Sequence, residues 1–310
     1  MVSITQLHYI VQVFNLGSYQ KAAKAMDVTQ PTLSMQIKKA ENTLGVQIFD
    51  RRNSPIVLTP IGHKIVEQAR IVIEEHNKIK WLVEKGKGKL EGKVNIGIIP
   101  TISTFLIPKV WGRIKSELSE LEIHFVELKT EHILDQLKKN EIDFGIMAGP
   151  FDKSSLTTIS LGYEPMYVYA AGEQFKGPKV NTQDLKGAQP WLLTEGNCFR
   201  SQMMNLCKIR EKSIQQRNWF YEGGSIETLI RLVDQEGGFT LIPGLAADLL
   251  KLEEDHIRYW ADANPVRELI IVHRKRYAKT GVVEAIKEVI QSSFPEAYLK
   301  SEGKDIIEWI

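Results

Sequence analysis

Two cysteines are the residues of this chain that most directly offer redox chemistry. Cys198 and Cys207 stand nine residues apart in a sequence of 310. Arg200 follows Cys198 by two residues, and Asn197 follows a glycine, a pair that predicts a helix start. A cation and a helix N-terminus both stabilise a thiolate, which is the reactive form of cysteine. Cys198 is therefore predicted to be the reactive thiol, whereas Cys207, close to Met203 on an apolar side, is predicted to be buried.

An alternative is open for both cysteines, because isolated cysteines are often buried and behave as small apolar side chains. If residues 198–207 form one helix, the two thiols are about 13.5 Å apart along its axis and about half a turn apart around it. A disulfide requires Cα atoms within about 7 Å of each other. A bond between these cysteines therefore requires the helix to unfold, so oxidation here predicts a conformational switch.

The first 59 residues have the pattern of a winged helix-turn-helix. Apolar residues recur at helical spacing from Ile4 to Phe14, and Ser18 and Thr29 are candidate N-caps of two further helices. Two short helices around a tight turn are typical of a helix-turn-helix, although a generic three-helix bundle is the alternative. The second helix fits the DNA major groove, where side chains contact bases and cations neutralise phosphates. The candidate DNA-contacting residues are Gln30, Thr32, Ser34, Gln36, Lys38, Arg51 and Arg52.

The charge distribution agrees with this interpretation of the N-terminal part. The net charge is +2, but residues 1–90 hold 13 Lys and Arg against 7 Asp and Glu, whereas residues 91–310 hold 27 against 31. A basic module on a slightly acidic body indicates polyanion binding. With no run of 18 apolar residues, no signal-peptide pattern and only two cysteines, we expect a cytoplasmic protein without a membrane partner. The seven histidines lack metal-ligand spacing, so neither a metal nor a cofactor is predicted.

A long helix and a hinge, residues 60–92, are predicted to join the two parts. From Pro60 to about Lys85 the sequence predicts one helix with a single apolar stripe. Because no globular body is expected beside it, the stripe is predicted to pair with the same helix of another chain. The stripe consists of Ile61, Ile65, Ala69, Val72, Ile73, His76, Ile79 and Val83.

Residues 93–310 are predicted to form an α/β body of two lobes. Strand and helix patterns alternate to about residue 292, which predicts a mainly parallel sheet, with chain crossings near residues 165 and 268. Thr101 and Thr130 each follow a strand, where a threonine is either the N-cap of the next helix or a ligand contact in a cleft. The fold class is thus α/β with an N-terminal all-α winged helix-turn-helix.

The N-terminal motifs resemble the signature of LysR-type transcriptional regulators. The matching residues are Ala22, Ala23, Val28, Thr29, Gln30, Pro31, Thr32, Leu33, Ser34, Gln36, Ile37, Lys38, Lys39, Glu41, Leu44, Gly45, Phe49, Arg51, Leu58, Thr59 and Gly62. Met35 and Ala40 depart from the commoner residues. The resemblance implies a winged helix-turn-helix over 1–59, a dimerising linker over 60–92 and an effector domain like periplasmic binding proteins over 93–310. It also implies a double-stranded DNA operator and RNA polymerase as partners, and no enzyme activity.

The segment around the cysteines resembles the OxyR branch of that family, the hydrogen peroxide sensors. The matching residues are Ile98, Pro100, Thr101, Leu106, Pro108, Glu127, Thr130, Glu164, Pro165, Met166, Cys198, Arg200, Gln202, Met204, Cys207, Ser225, Glu227, Thr228, Leu229, Thr240, Leu241, Pro243 and Arg274. The resemblance implies a peroxidatic Cys198 and a resolving Cys207 that form a disulfide. It also implies a homodimer or homotetramer and a thiol reductant that closes the cycle.

The same resemblance implies a peroxide pocket around the first thiol. Thr101 and Thr130 would bind peroxide and its water, Arg200 would support the thiolate, and Arg274 is a further pocket candidate. Asn197 stands where the branch usually has histidine, and asparagine cannot accept a proton.

Two other functions are compatible with parts of the sequence. The first is a LysR-type regulator that binds a small organic effector between its lobes and uses its cysteines structurally. The second is a thiol peroxidase that uses the same cysteine pair, against which the N-terminal helix-turn-helix argues.

Overall fold

The structure is a computed structural model that describes residues 1–50, 56–86, 90–151, 154–209, 221, 223–250 and 252–308. The chain divides into two units, Met1–Lys89 with Arg276–Lys279, and Leu90–Lys275 with Thr280–Ile310. The first unit is helical with a small two-stranded wing, and the second is α/β. The predicted fold class is therefore confirmed.

The N-terminal unit is built on three short helices and a wing. These are α1 (Ile4–Leu16), α2 (Tyr19–Ala25), α3 (Gln30–Leu44), β1 (Phe49–Asp50) and β2 (Val57–Leu58). The predicted caps are present, since the Ser18 and Thr29 hydroxyls accept from backbone N–H groups 3.3 and 3.4 Å away. Such caps satisfy amides that have no partner inside the helix. Leu33, Ile37 and Ala40 of α3 are fully buried, which turns the other side of α3 outward.

Helix α4 (Pro60–Gly86) continues from the wing without interruption. Gly62 lies in its first turn, where a Cβ atom would lie 2.1 Å from the Ile48 carbonyl oxygen, so only glycine fits this approach. The prediction that the whole apolar stripe lacks an intramolecular partner is wrong. Ala69 and Ile73 are buried in the N-terminal core, because one side of α4 packs on α1.

Ile65 is half-buried against the same core, whereas other residues of the predicted stripe are exposed. The side chain of Val83 lies outside the described residues. Ile61 and Val72 are exposed, and Ile79 is 63% exposed. Val72 and Ile79 are seven residues apart, the spacing at which side chains share one seam of a helix that supercoils with a partner. The stripe is thus two faces, one facing the N-terminal core and one open to solvent.

Within the described residues, the α/β unit contains nine strands, seven in one path and two paired beside it, with helices between them. Its elements are β3 (Gly92–Ile98), α5 (Pro100–Glu117), β4 (Leu121–Glu127), α6 (Thr130–Lys139), β5 (Phe144–Gly149), β6 (Leu156–Ala171), β7 (Lys179–Val180), α7 (Cys198–Leu206), α8 (Ile226–Glu236), β8 (Gly238–Pro243), α9 (Gly244–Leu249), β9 (Ile257–Trp260), β10 (Pro265–Arg274), α10 (Thr280–Gln291) and β11 (Asp305–Ile306), with short 3₁₀ turns at Glu254–His256 and Glu296–Leu299. The strand order is β4-β3-β5-β10-β6-β9-β7, with β8 on β6 and β11 on β10.

The prediction of a mainly parallel sheet is wrong. Strand β3 pairs in parallel with β4 and β5, but β10 pairs antiparallel with β5 and β6, and β6 pairs antiparallel with β8 and β9. The reason is that two long strands, β6 and β10, run side by side in opposite directions. Strand β6 pairs with β10 up to Pro165 and with β8 from Met166 onward, so its partner changes where the sequence predicts a crossing.

Two charged side chains are completely buried where these long strands meet. Glu164 of β6 and Arg267 of β10 stand opposite each other in the antiparallel ladder, and neither is exposed to solvent. A charge that is removed from water is tolerated only when it is paired and hydrogen-bonded. A buried ion pair therefore lies where β6 and β10 meet, and the candidate site is built around it.

Candidate functional site

Helix α7 carries the two cysteines at its opposite ends. Asn197 is the N-cap and its Oδ1 accepts from the Phe199 amide at 3.0 Å, so Cys198 is the first helical residue. Cys207 is the C-cap, and its N–H donates to the Met203 carbonyl oxygen at 2.9 Å. Both are buried free thiols. The predicted single helix between them is present, and a disulfide between them requires it to unwind.

The surroundings of Cys198 act against the effect of its burial. Burial raises the pKa of the Cys198 thiol, because a thiolate is poorly solvated in the interior. The positive charge of Arg267, the hydroxyl of Thr130 and the backbone amides of Phe199 and of Cys198 itself act in the opposite direction and lower that pKa. Three kinds of group that stabilise a thiolate therefore converge on one sulfur atom: a cation, a hydroxyl and helix N-terminal amides.

Each of the three guanidinium nitrogens of Arg267 donates a hydrogen bond. Its Nε donates to the Glu164 Oε2 at 2.5 Å, its Nη1 to the Thr101 Oγ1 at 3.1 Å, and its Nη2 to the Thr101 carbonyl oxygen at 2.9 Å. The second Glu164 oxygen accepts from the Leu245 amide at 2.9 Å. The guanidinium also lies 5.1 Å from the centroid of the Phe199 ring. Three hydrogen bonds and the ring contact fix the Arg267 guanidinium beside the first turn of α7.

Arg267 is the main site residue that the sequence reasoning missed. A charged residue inside the apolar strand Pro265–Arg274 was the available signal, because a charge in a buried strand requires a partner. Glu164 belongs to a motif that matched the OxyR branch, but its partner was not identified from the sequence. The structure shows that the pair joins β6 to β10 close to the Cys198 thiol.

Thr101 and Thr130 each lie in the first turn of a helix but do not cap it. The N-caps of α5 and α6 are Ile99 and Lys129, and neither makes a side-chain cap hydrogen bond. Both threonines are buried. Their hydroxyls are used for the site instead, since Thr101 binds Arg267 and Thr130 binds the sulfur of Cys198. The starts of α5, α6 and α7 therefore meet around one thiol.

Cys207 has no comparable surroundings. Burial raises the pKa of its thiol strongly, and burial is the one cause of the shift. It follows that Cys207 is protonated and unreactive while α7 is helical. Cys207 is buried, as the sequence predicted. It differs from Cys198 in its neighbours, not in its burial.

Two predicted pocket residues lie elsewhere in the hydrogen-bond network. The Arg200 Nη1 donates to the Leu193 carbonyl oxygen at 2.9 Å, and the cation that acts on the Cys198 thiol is Arg267. The placement of Arg274 in the pocket is wrong. Its Nη1 donates to the carbonyl oxygens of Leu137 and Ile142 at 2.9 Å, because Arg274 ends β10 seven residues, or about 23 Å, beyond Arg267.

Five of the seven predicted DNA-contacting residues lie on α3. Gln30, Thr32 and Lys38 are exposed, and Ser34 and Gln36 are half-buried. The Thr32 hydroxyl is paired with the Thr29 hydroxyl at 2.8 Å, and the Gln36 Oε1 accepts from the Gln6 side-chain Nε2 at 3.0 Å. These bonds fix the side chains before any DNA binds. Arg51 and Arg52 lie outside the described residues.

Sequence reasoning also missed how α3 is tied to the wing. Glu41 is buried, and its Oε1 accepts from the amides of Ile48 at 2.8 Å and Phe49 at 3.3 Å. Met35 is 62% exposed on the outward side of α3, between Ser34 and Gln36. A buried carboxylate that binds two backbone amides orients the wing relative to the helix.

Two other kinds of site are absent from the described ranges. No helix there is long and apolar enough to cross a membrane. Among the same residues, no group of three or more His, Cys, Asp and Glu side chains is arranged to hold a metal ion. The thiol site and the α3 surface are thus the two candidate sites that the structure supports.

A helix-turn-helix unit joined to a two-lobed α/β unit defines a DNA-binding regulator with a separate sensing domain. Residues 4–63 match the sequence family described as bacterial regulatory helix-turn-helix protein, lysR family. Residues 87–295 match the family described as LysR substrate binding domain. The chain belongs to the LysR family of transcriptional regulators. Members of this family are not enzymes, as the sequence predicted.

Similar proteins include both peroxide regulators and a differently named regulator. The chain is 30% identical to the DNA-binding transcriptional dual regulator OxyR of Escherichia coli, over 79% of this chain and 80% of that protein. It is 27% identical to the regulator EstR of Acinetobacter baylyi, over 93% and 96%. A full-length OxyR variant from Pseudomonas aeruginosa is 28% identical, covers 96% of this chain and 97% of its own, and superposes with a TM-score of 0.79. The predicted resemblance to the OxyR branch is therefore confirmed.

Proposed function

We propose that this regulator senses hydrogen peroxide through a reversible disulfide between Cys198 and Cys207. The observation that carries the proposal is the asymmetry of α7. One end places a thiol against a fixed guanidinium, a threonine hydroxyl and helix N-terminal amides. The other end carries a second thiol, and burial alone raises its pKa. The similarity to OxyR proteins supports the same function.

The first chemical step is attack of the Cys198 thiolate on one peroxide oxygen. The O–O bond breaks, the sulfur becomes a sulfenic acid, and the other oxygen leaves as hydroxide that takes a proton to become water. Arg267 stabilises the thiolate before attack. In this proposal the Thr101 and Thr130 hydroxyls hold the peroxide and a water molecule, and Arg200 supports the segment through the Leu193 carbonyl.

Asn197 contributes orientation to this step and no proton transfer. Its Oδ1 is engaged as the α7 cap, which keeps the helix N-terminal amides directed at the sulfur. Asparagine cannot accept a proton at neutral pH. The proton that the leaving hydroxide requires must therefore come from water or from a neighbouring hydroxyl.

The second step joins the two ends of α7. The Cys207 sulfur attacks the sulfenic sulfur, an S–S bond forms, and the sulfenic oxygen leaves with two protons as water. Because a disulfide brings the Cα atoms within about 7 Å, α7 unwinds during this step. The refolded segment changes subunit packing and thereby the spacing of paired DNA-binding domains. A thiol reductant in the cytoplasm then reduces the disulfide to two thiols and is itself oxidised to a disulfide.

On the DNA side we propose specific binding to a double-stranded operator as a homodimer or homotetramer, with contact to RNA polymerase. The exposed seam of α4 around Val72 and Ile79 is the proposed dimer contact. Polar substitution of both residues is expected to yield monomers that bind DNA weakly, as measured by light scattering and duplex titration.

Arg51 and Arg52 are proposed to neutralise phosphates. Substitution of Gln30 or Ser34 is expected to relax specificity at one position in each half-site.

The decisive experiment follows thiol oxidation in the full chain. Stopped-flow mixing with low peroxide gives the rate, and mass measurement of the peptide that spans residues 198–207 gives the product before and after. A loss of two hydrogens from that peptide, at a rate far above that of free cysteine, supports the proposal. A rate no higher than that of free cysteine contradicts it.

The match of residues 87–295 to the LysR substrate binding domain favours one competing function, a LysR-type regulator with a small organic effector. In that case the cysteines are structural. Replacing both of them with serine would leave the regulator's response intact, and an organic ligand would raise its melting temperature. A peroxide response that disappears in the double variant excludes this second function.

A further inference from the structure

The segment 305–308 lies across the helix that the proposed disulfide must unwind. Strand β11 pairs in parallel with the start of β10, in the register Pro265 with Asp305 and Val266 with Ile306. The Ile307 amide then donates to the Val266 carbonyl oxygen at 2.9 Å. Arg267 is the next residue of β10, so the segment is hydrogen-bonded to the strand directly before the guanidinium of the site.

The same segment is also bound to α7. The Gln202 Nε2 donates to the Ile307 carbonyl oxygen at 2.9 Å, and the Asn205 Nδ2 donates to the Glu308 carbonyl oxygen at 3.4 Å. Gln202 and Asn205 lie between the two cysteines, within the helix that separates them. Any unwinding that brings Cys207 to Cys198 moves both side chains away from these carbonyl groups.

Gln202 is held in the helical form at a cost. Its side chain is fully buried, and its Oε1 has no hydrogen-bond partner within the described residues. A buried acceptor without a partner lowers stability, and exposure to water on unwinding would satisfy it. The Ile307 carbonyl therefore binds one end of a side chain whose other end favours release.

We infer that the segment 305–308 is a positioning element of the peroxide reaction, which rests on the disulfide proposed above. By joining β10 to α7 it holds α7 helical after Cys198 is oxidised. It thereby slows attack of the Cys207 sulfur on the sulfenic sulfur and sets the redox potential of the pair. The first step, attack of the Cys198 thiolate on peroxide, does not require the segment to move.

A pair of truncations tests this role in the full regulator. A chain that ends at Lys304 loses the whole segment, and a chain that ends at Glu308 keeps every bond described above and is the matched control. In the shorter chain we expect disulfide formation to be about tenfold faster, because one or two hydrogen bonds of ordinary strength are lost. The corresponding midpoint potential is about 30 mV more negative. The rate of sulfenic acid formation is expected to stay within about twofold of the control value, because no hydrogen bond to peroxide is lost.

The outcomes separate this inference from the function on which it rests. If the full chain and the control form no disulfide with peroxide, the proposed function fails and this inference fails with it. If both truncations form the disulfide at the same rate and potential, the inference alone is wrong. A shorter chain in which both steps slow equally points to general loss of structure and also overturns the positioning role.

Hydrogen exchange on the intact chain provides a second test that needs no variant. In the reduced protein the amides of Asp305 and Ile307 are bonded to the carbonyl oxygens of Asn264 and Val266, so they should exchange slowly. After oxidation by peroxide we expect both to lose protection, while the ladder between β5 and β10 keeps it. Unchanged protection at Ile307 in the disulfide form contradicts the inference.

Discussion

The two ends of α7 present the same side chain in opposite chemical settings. At the start of the helix, Arg267, Thr130 and backbone amides act against the effect of burial on the pKa of Cys198, which remains raised. At the end of the helix, burial of Cys207 acts alone. Burial is nearly equal at the two sites, so the difference comes from the neighbours that each thiol has. Reactivity is therefore decided by which helix end, and which strand, faces the sulfur atom.

The largest effect is expected from exchanging one cysteine at a time for serine. Cys198→Ser should abolish the peroxide response and leave Cys207 nearly unreactive, because Cys207 has nothing to stabilise its thiolate. Cys207→Ser should oxidise at the wild-type rate but stop at the sulfenic acid or proceed to higher oxides. Mass spectrometry with a sulfenic acid trap distinguishes these products. Equal reactivity of the two single variants would break the comparison.

The next largest effect should follow removal of the buried cation. A positive charge close to a thiol lowers its pKa by about one to three units. In Arg267→Met that charge is lost, so the pKa of Cys198 is expected to rise by about the same amount. Peroxide oxidation at neutral pH should then slow by about tenfold to a thousandfold. The same change leaves Glu164 buried without its partner, which costs about 3–5 kcal/mol of stability. Stopped-flow oxidation and urea unfolding measure the two effects.

A double variant separates electrostatics from folding at this position. Glu164→Gln added to Arg267→Met removes the stranded carboxylate but keeps an acceptor for the Leu245 amide. We expect stability to recover and the oxidation rate to remain low. A rate that recovers together with stability would mean that Arg267 acts only through the fold.

A smaller effect is expected from the two threonines, and their order is informative. Thr130→Val removes a hydroxyl that binds the thiolate, so oxidation should slow about tenfold. Thr101→Val removes the hydroxyl that accepts from Arg267 and, in our proposal, binds peroxide, so oxidation should slow without any change in DNA binding by the reduced form. Valine keeps the side-chain shape in both cases. An unchanged rate in Thr130→Val contradicts the assigned contact.

The smallest effect concerns stability at alkaline pH. A thiol whose pKa is raised by folding keeps its proton in the native state and loses it in the unfolded chain above about pH 8.5. The unfolded state then binds fewer protons, so stability should fall as pH rises above that value, by at most about 1.4 kcal/mol per pH unit for each thiol. Cys207→Ala should reduce this slope in urea unfolding between pH 7 and 10. The same slope in both proteins would show that Cys207 is not buried as described.

Local features of this molecule could be predicted because neighbouring residues in the sequence determine them. The caps at Ser18 and Thr29, the uninterrupted α4 helix and the helix between the cysteines follow from periodicity and from a few residues at each helix end. The position of the two cysteines at opposite ends of one helix was also accessible, since they lie within ten residues of each other. The same reasoning failed where strands meet. The direction of β10 and the split of the α4 stripe depend on which surfaces pack together.

The sequence by itself determined that two thiols would be separated by a helix, and that a basic helix-turn-helix would precede an α/β body. Only the tertiary structure decided which cation reaches the sulfur. Arg267 is 69 residues from Cys198 along the chain, and its partners Glu164 and Thr101 are 103 and 166 residues from it. Sequence spacing carries no information about such contacts. They exist because two antiparallel strands and three helix starts converge, and a buried charge is stable only where such convergence supplies all its hydrogen bonds.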